Sequence, residues 1–171
     1  MIWKRLSRFD TYWSQRLRKL EEPGIARKAA IVFAHSGDSW FWLSGFILSW
    51  IIGSQELKQW ALRMILVVFA LAFTVMVIKF AIRRPRPEGD FGEIYRRSDP
   101  HSFPSGHAAR SVLLAVLVVG WGPTWLALIL VPWAPLVSLA RVALGLHFPT
   151  DVLAGGLLGL IAGLIALLFG G

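Results

Sequence analysis

Residues 57–82 read LKQWALRMILVVFALAFTVMVIKFAI. Apart from its ends and Arg63, this run is apolar throughout. About 20 such residues in a helix cross a bilayer, so the stretch predicts a membrane-spanning helix. Working outward, four more stretches approach the length: 39–53, 106–121, 123–145 and 150–169. The first is short and borrows flanking residues. Most linkers are brief, but 83–105 is long for so small a chain, and loops of that length are usually functional or disordered. The expected fold is an all-α, polytopic membrane bundle of about five transmembrane helices.

Composition agrees. The chain has 171 residues, 56% of them apolar, 16% charged, with mean hydropathy +0.59. A soluble domain is about 45–50% apolar and about 25% charged. An intrinsically disordered chain needs low hydrophobicity and is excluded. No cysteine is present, which removes disulfide frameworks and thiolate metal sites. Eighteen Lys and Arg against ten Asp and Glu leave a net charge of +8. In a chain this apolar the anionic partner is expected to be lipid phosphate, not nucleic acid.

The N-terminus differs from the rest. Ile2, Leu6, Phe9, Trp13, Leu17 and Leu20 share one helical face, and Lys4, Arg5, Arg8, Arg16, Arg18 and Lys19 fall largely elsewhere. That pattern predicts a basic amphipathic helix lying among anionic headgroups, ended by Pro23-Gly24. No apolar run follows as in a signal peptide. A second interfacial piece is expected over 26–35. The chain thus divides into an interfacial segment, 1–37, and a membrane-embedded domain, 38–171, whose loop 83–105 belongs to the site.

Trp40 and Trp42 mark one membrane interface and Trp60, Trp121 and Trp125 the other, as aromatic belts do. Trp50 fits loosely, and Trp133 falls mid-span. Pro132 and Pro135 are expected to kink the fourth span. Gly155, Gly159 and Gly163 recur every four residues, which predicts close packing of the fifth span on a neighbour.

Threading the five spans places sixteen of the eighteen basic residues on one face, leaving Lys58 and Arg63 on the other. His35, His101, His107 and His147 gather on the basic face. Three segments meet there. Lys79 and Arg86 end the second span; an Arg fork grips phosphate oxygens and Lys adds a point charge. Pro104-Ser105-Gly106-His107 opens the third span: Ser105 is a candidate N-cap, Gly106 permits close approach, and first-turn amides bind anions. Arg141, His147 and Asp151 bridge the fourth and fifth spans. A carboxylate beside an imidazole fixes its tautomer and favours its cation, and an intramembrane Arg needs a partner, for which a phosphate is suited. Taken singly, the segments also fit a headgroup-binding basic cluster, a capped helix with an interfacial His, and a capped fifth helix. Their order and shared face favour one phosphate site.

These residues resemble the type 2 phosphatidic acid phosphatase family, relatives of vanadium haloperoxidases and class A acid phosphatases. Its first motif, Lys-x6-Arg-Pro, is matched by Lys79, Arg86 and Pro87; its second, Pro-Ser-Gly-His, by residues 104–107. Its third, Ser-Arg-x5-His-x3-Asp, is matched by Arg141, His147 and Asp151, with Ala140 in place of the serine. The resemblance runs from about Trp40 to the C-terminus; members often have six spans.

The resemblance implies a metal-independent lipid phosphatase without cofactors. His147 would attack phosphorus and form a phosphohistidine, Asp151 would orient His147, and His107 would protonate the leaving oxygen and then activate water. Lys79, Arg86, Arg141, Ser105 and the Gly106 amide would hold the phosphoryl oxygens, the three cations replacing a metal. Phosphatidylglycerophosphate, phosphatidic acid and polyprenyl diphosphates are the implied substrates. The family more often places its site on the outer face of the cytoplasmic membrane, whereas the positive-inside rule puts this basic face in the cytoplasm. A phosphotransferase would use the same site. A non-catalytic lipid-binding protein would need no His147–Asp151 pair, and a transporter would place its polar groups at mid-membrane.

Overall fold

The computed structural model describes residues 2–17, 23–87 and 99–170, with side chains from residue 8 onward. Residues 88–98 of the long loop, including Arg96 and Arg97, lie outside the described part. Seven helices follow in order among the described residues: α1 (Ile2–Leu17), α2 (Ile25–Ser36), α3 (Ser39–Ile52), α4 (Gln55–Ile82), α5 (Gly106–Trp121), α6 (Thr124–Ala143) and α7 (Pro149–Phe169). Helices α4, α6 and α7 are long and apolar enough to cross a membrane; α3 and α5 are apolar but shorter, at 14 and 16 residues.

In α4 the buried residues are Ala61, Met64, Val68, Leu71, Val75 and Lys79. Their spacing of three or four keeps one face inward over the length of the helix, and that face ends in Lys79. The opposite face exposes Leu62, Leu66, Phe69, Phe73 and Val77, apolar surface that lipid tails cover. Arg83 closes α4 in the left-handed conformation, its amide donating to the Lys79 carbonyl at 2.9 Å. Pro85 and Pro87 then forbid helix.

Helix α5 is the hub and packs on α7, α6 and α4. Gly155, Gly159 and Gly163 of α7 are buried against it. A Cβ on Gly155 would overlap the Ser105 carbonyl, and one on Gly159 the Ala109 carbonyl. Backbone cannot retreat as a flexible side chain can, so Gly159→Leu is expected to destabilise the bundle by at least about 1–3 kcal/mol. Thermal unfolding in detergent reads this; an unchanged midpoint would contradict the packing.

The fourth span is one unbroken α-helix through Pro132 and Pro135. Trp133 belongs to the core and not to a belt: it packs against Trp42, the rings tilted at 56° with centroids 5.1 Å apart, and donates Nε1–H to Ser36 Oγ at 2.8 Å. Helix α2 is docked on α6, with Ala30 and Ala34 buried among Ala140, Leu144 and Leu146. Helix α1 touches α6 and α7.

Candidate active site

The ends of α4 and α6 and the starts of α3, α5 and α7 meet at one end of the bundle. There Lys79, Gly106, His107, Arg110 and His147 line a cavity of about 430 Å³. A larger groove of about 1040 Å³ runs along α3 to the α4 start and holds none of the expected site residues.

His147 is placed by the turn after α6. Gly145 has a φ of 65°, a conformation that suits glycine. It lets Leu146 and His147 fold back so that both amides donate to the Arg141 carbonyl, at 3.0 and 3.2 Å. The imidazole is buried, with Nδ1 2.8 Å from the Ser102 carbonyl. A carbonyl only accepts, so Nδ1 carries the proton and Nε2 the lone pair. Arg86 Nη1 donates to Nε2 at 3.2 Å. Burial, with the charges of Arg141, Arg86 and Lys79, holds the imidazole well below the ordinary histidine range. It is therefore neutral at pH 7, with its nucleophilic nitrogen turned towards a cation.

Lys79 and Arg86 converge on one anion. Both hold the Asp99 carboxylate, Arg86 at 2.9 Å, and Lys79 also donates to the His101 carbonyl at 3.0 Å. Arg86 is fixed further by the Asp99 carbonyl at 2.7 Å and the Leu146 carbonyl at 2.8 Å. The pair is aimed to share one oxyanion beside His147. Arg141, in the last turn of α6, is fully buried, and its charge acts on His147, His107 and Lys79.

Ser105 is the N-cap of α5, accepting from the Ala108 amide at 3.4 Å. Its own amide donates to the Asp151 carbonyl at 2.9 Å, tying the α5 and α7 starts together. Gly106 faces the cavity, with Val75 as the nearest group a side chain would meet. Asp151 is fully buried. It accepts from the Phe148 amide at 2.9 Å and from Arg84 Nη1 at 2.6 Å. Its carboxylate lies 3.7 Å from His147 Nδ1, an ion-pair distance, while the hydrogen bond from that nitrogen goes to Ser102.

The structure adds groups that the motifs do not contain. Arg84 links Asp151 to Asp10 of α1 and stacks over Phe148 at 4.1 Å. Asp10 is 1% exposed and accepts from the Thr150 amide at 3.0 Å and its hydroxyl at 2.6 Å. Its signal in the sequence is that it is the sole acid among the first twenty residues. Asp38 binds His107, with Oδ1 2.7 Å from Nε2. Burial raises the Asp38 carboxyl, but the bonds and charge of His107 and His35 outweigh this and bring it to about 2. Arg110, one turn beyond His107, is a charge inside an apolar span, and that is its signal. No group of three or more His, Cys, Asp or Glu suited to a metal occurs among the described residues.

The chain is similar in sequence and fold to known proteins. The model of the PAP2 superfamily matches residues 60–170. The chain is 37% identical to lipid A 4'-phosphatase of Bacteroides thetaiotaomicron over 84 residues, 46% of this chain and 37% of that protein. It is 32% identical to decaprenylphosphoryl-5-phosphoribose phosphatase of Mycobacterium tuberculosis, covering 89% and 84%. An undecaprenyl-diphosphatase of Sulfolobus acidocaldarius is 31% identical, over 57% of this chain and 51% of that protein. The match thus takes in about a third of the Bacteroides protein and half of the Sulfolobus one. Among solved structures, the transmembrane PAP2-type phosphatidylglycerolphosphate phosphatase of Bacillus subtilis superposes with a TM-score of 0.73 at 28% identity, covering 94% and 85%. LpxE of Aquifex aeolicus shares the fold with a TM-score of 0.72 at 24% identity, covering 94% and 95%. The protein is a membrane protein of this fold. With its family model matched over most of its length, the chain belongs to the PAP2 superfamily.

Proposed function

We propose that the protein is an integral membrane phosphatase that hydrolyses a phosphate monoester or diphosphate of a lipid through a phosphohistidine on His147. The observation that carries this is the setting of His147 Nε2: a neutral, buried nitrogen beside Arg86, whose guanidinium shares one oxyanion position with Lys79. As Nε2 bonds to phosphorus, the scissile P–O bond breaks and the leaving oxygen takes a proton from His107. In the second half-reaction His107 takes a proton from water as water's oxygen bonds to phosphorus and the P–N bond breaks. Lys79, Arg86 and Arg141 offset the charge on the phosphoryl oxygens, with Ser105 and Gly106 at the adjoining helix start. Asp151 offsets the positive charge that His147 gains.

The shape of the cavity supports a lipid substrate. Its wall continues down α4 through Met76, Val75, Ala72, Leu71 and Val68, an apolar track into the bilayer for a chain whose phosphate sits at Lys79. Relatives named for lipid A, decaprenylphosphoryl and undecaprenyl substrates support the class. The phosphoryl-site residues meet only the group that such substrates share. Purified protein given phosphatidic acid, phosphatidylglycerophosphate, undecaprenyl diphosphate and lipid A separately is expected to release phosphate from at least one. Release from none would contradict the proposal.

We place the site on the outer face of the cytoplasmic membrane, as in the family it resembles. The catalytic cations account for part of the basic face, and α1 binds anionic lipid of that leaflet. Because the chain has no cysteine, Glu93→Cys gives a unique label. An impermeant thiol reagent is expected to label it in intact cells; labelling only after lysis would reverse the orientation.

A further inference from the structure

The start of α3 is unusual. Asp38 occupies its N-cap position, where an Asp side chain ordinarily accepts from first-turn amides, yet it makes no such bond. Both oxygens turn to imidazoles, Oδ1 to His107 Nε2 at 2.7 Å and Oδ2 to His35 Nδ1 at 3.3 Å. The surroundings fix that choice. Arg110 lies three residues after His107 on α5 and reaches across to both sides of Asp38. Its Nε and Nη2 donate to the Gly37 carbonyl, the former at 3.0 Å, and its Nη1 donates to Ser39 Oγ. A buried Arg in a membrane helix is costly; this one holds the loop 37–39 opposite His107. Gly37 completes the fit: a Cβ there would lie 3.2 Å from His107 Cδ2 and 2.9 Å from Val137 Cγ1.

We propose that Asp38 is a positioning residue of the phosphatase site, acting through His107. Its carboxylate fixes the ring at Nε2 and favours the imidazolium needed to protonate the leaving oxygen, as a carboxylate does for a general acid–base histidine. Arg110 is the clamp that holds Asp38 in place. In the substrate complex, where the bound phosphate dianion and Asp38 both face it, the ring is charged before attack, neutral in the phosphoenzyme, and charged again once water has reacted, so protons balance over the cycle without a further donor. His35, half-exposed, makes the outer contact of the same carboxylate.

This inference rests on the phosphatase reading, and the test separates the two. The unaltered protein, Asp38→Asn and Asp38→Glu are compared in the first turnover with a lipid phosphate, whose alkoxide needs a proton to leave, and with nitrophenyl phosphate, whose phenolate does not. Asp38→Asn is expected to slow alcohol release from the lipid by about a hundredfold or more and the nitrophenol burst by less than about threefold. Asp38→Glu is expected to recover much of the loss. A fold that was merely weakened would slow both substrates alike, so an equal loss, or none, would overturn the proposal. If Asp38→Asn does not fold, nitrogen-15 NMR of the unaltered protein decides. His107 Nε2 is expected to carry a proton at neutral pH, and an unprotonated Nε2 would overturn the assignment. Failure of the unaltered protein to release phosphate from any lipid would overturn the phosphatase reading itself, whereas an active protein without the substrate difference overturns only the role of Asp38.

Discussion

His147→Ala is expected to lose at least about a thousandfold in phosphate release while keeping the fold, because it removes the attacking atom and not a support for it. The substitution deletes two hydrogen bonds, the one from Nδ1 to the Ser102 carbonyl and the one from Arg86 to Nε2, and the 3.7 Å contact with Asp151. Arg86 keeps its bonds to Leu146 and Asp99, so the cation is not stranded. Binding of vanadate or inorganic phosphate is therefore expected to persist. Phosphate release by a nitrogen isostere such as His147→Gln is expected to fail as well, since an amide does not form the phosphoenzyme. An active His147→Ala protein would remove His147 as nucleophile.

Arg86→Ala has the next largest expected effect. Arg86 touches the nucleophile and, with Lys79, defines the oxyanion position, so its loss removes charge where it develops in the transition state. Loss of one such donor costs on the order of 10²–10³ in kcat. Arg86→Lys keeps the charge but not the fork that reaches His147 Nε2, Leu146 and Asp99 together, and is expected to recover only a small part. Alanine also leaves the Leu146 and Asp99 carbonyls without Arg86, so thermal unfolding is measured beside kcat. A loss below about tenfold in kcat for Arg86→Ala would mean that the phosphoryl group sits elsewhere.

Much of this was legible before the structure because it is local. The run at 57–82 matches α4, and Ser105 and Gly106 do open α5. The glycines at 155, 159 and 163 do face α5, because a four-residue period on a helix is a face. Lys79, Arg86, His107 and His147 do gather at one end, because helices of spanning length alternate direction. Asp10 and Asp38 were not legible, because their partners lie far away along the chain. Asp38 meets His107 across 69 residues, Asp10 meets Arg84 across 74, and Asp10 meets Thr150 across 140. Nothing in a local pattern sets such pairings. Trp133 fits no belt because it belongs to the core, and only the docking of α2 reveals Ser36 as its acceptor. Pro132 and Pro135 lie inside α6, which stays helical through both.

The proposed mechanism requires that His147 become covalently phosphorylated. The most direct test is rapid quenching of the purified protein with a lipid phosphate carrying labelled phosphorus, followed by denaturation and counting of protein-bound label. The bound label is expected to survive alkali, to be lost in mild acid and to be absent from His147→Ala, with a half-life matching turnover. Undiminished label on His147→Ala, or turnover by the unaltered protein with no bound label at any time, would contradict it.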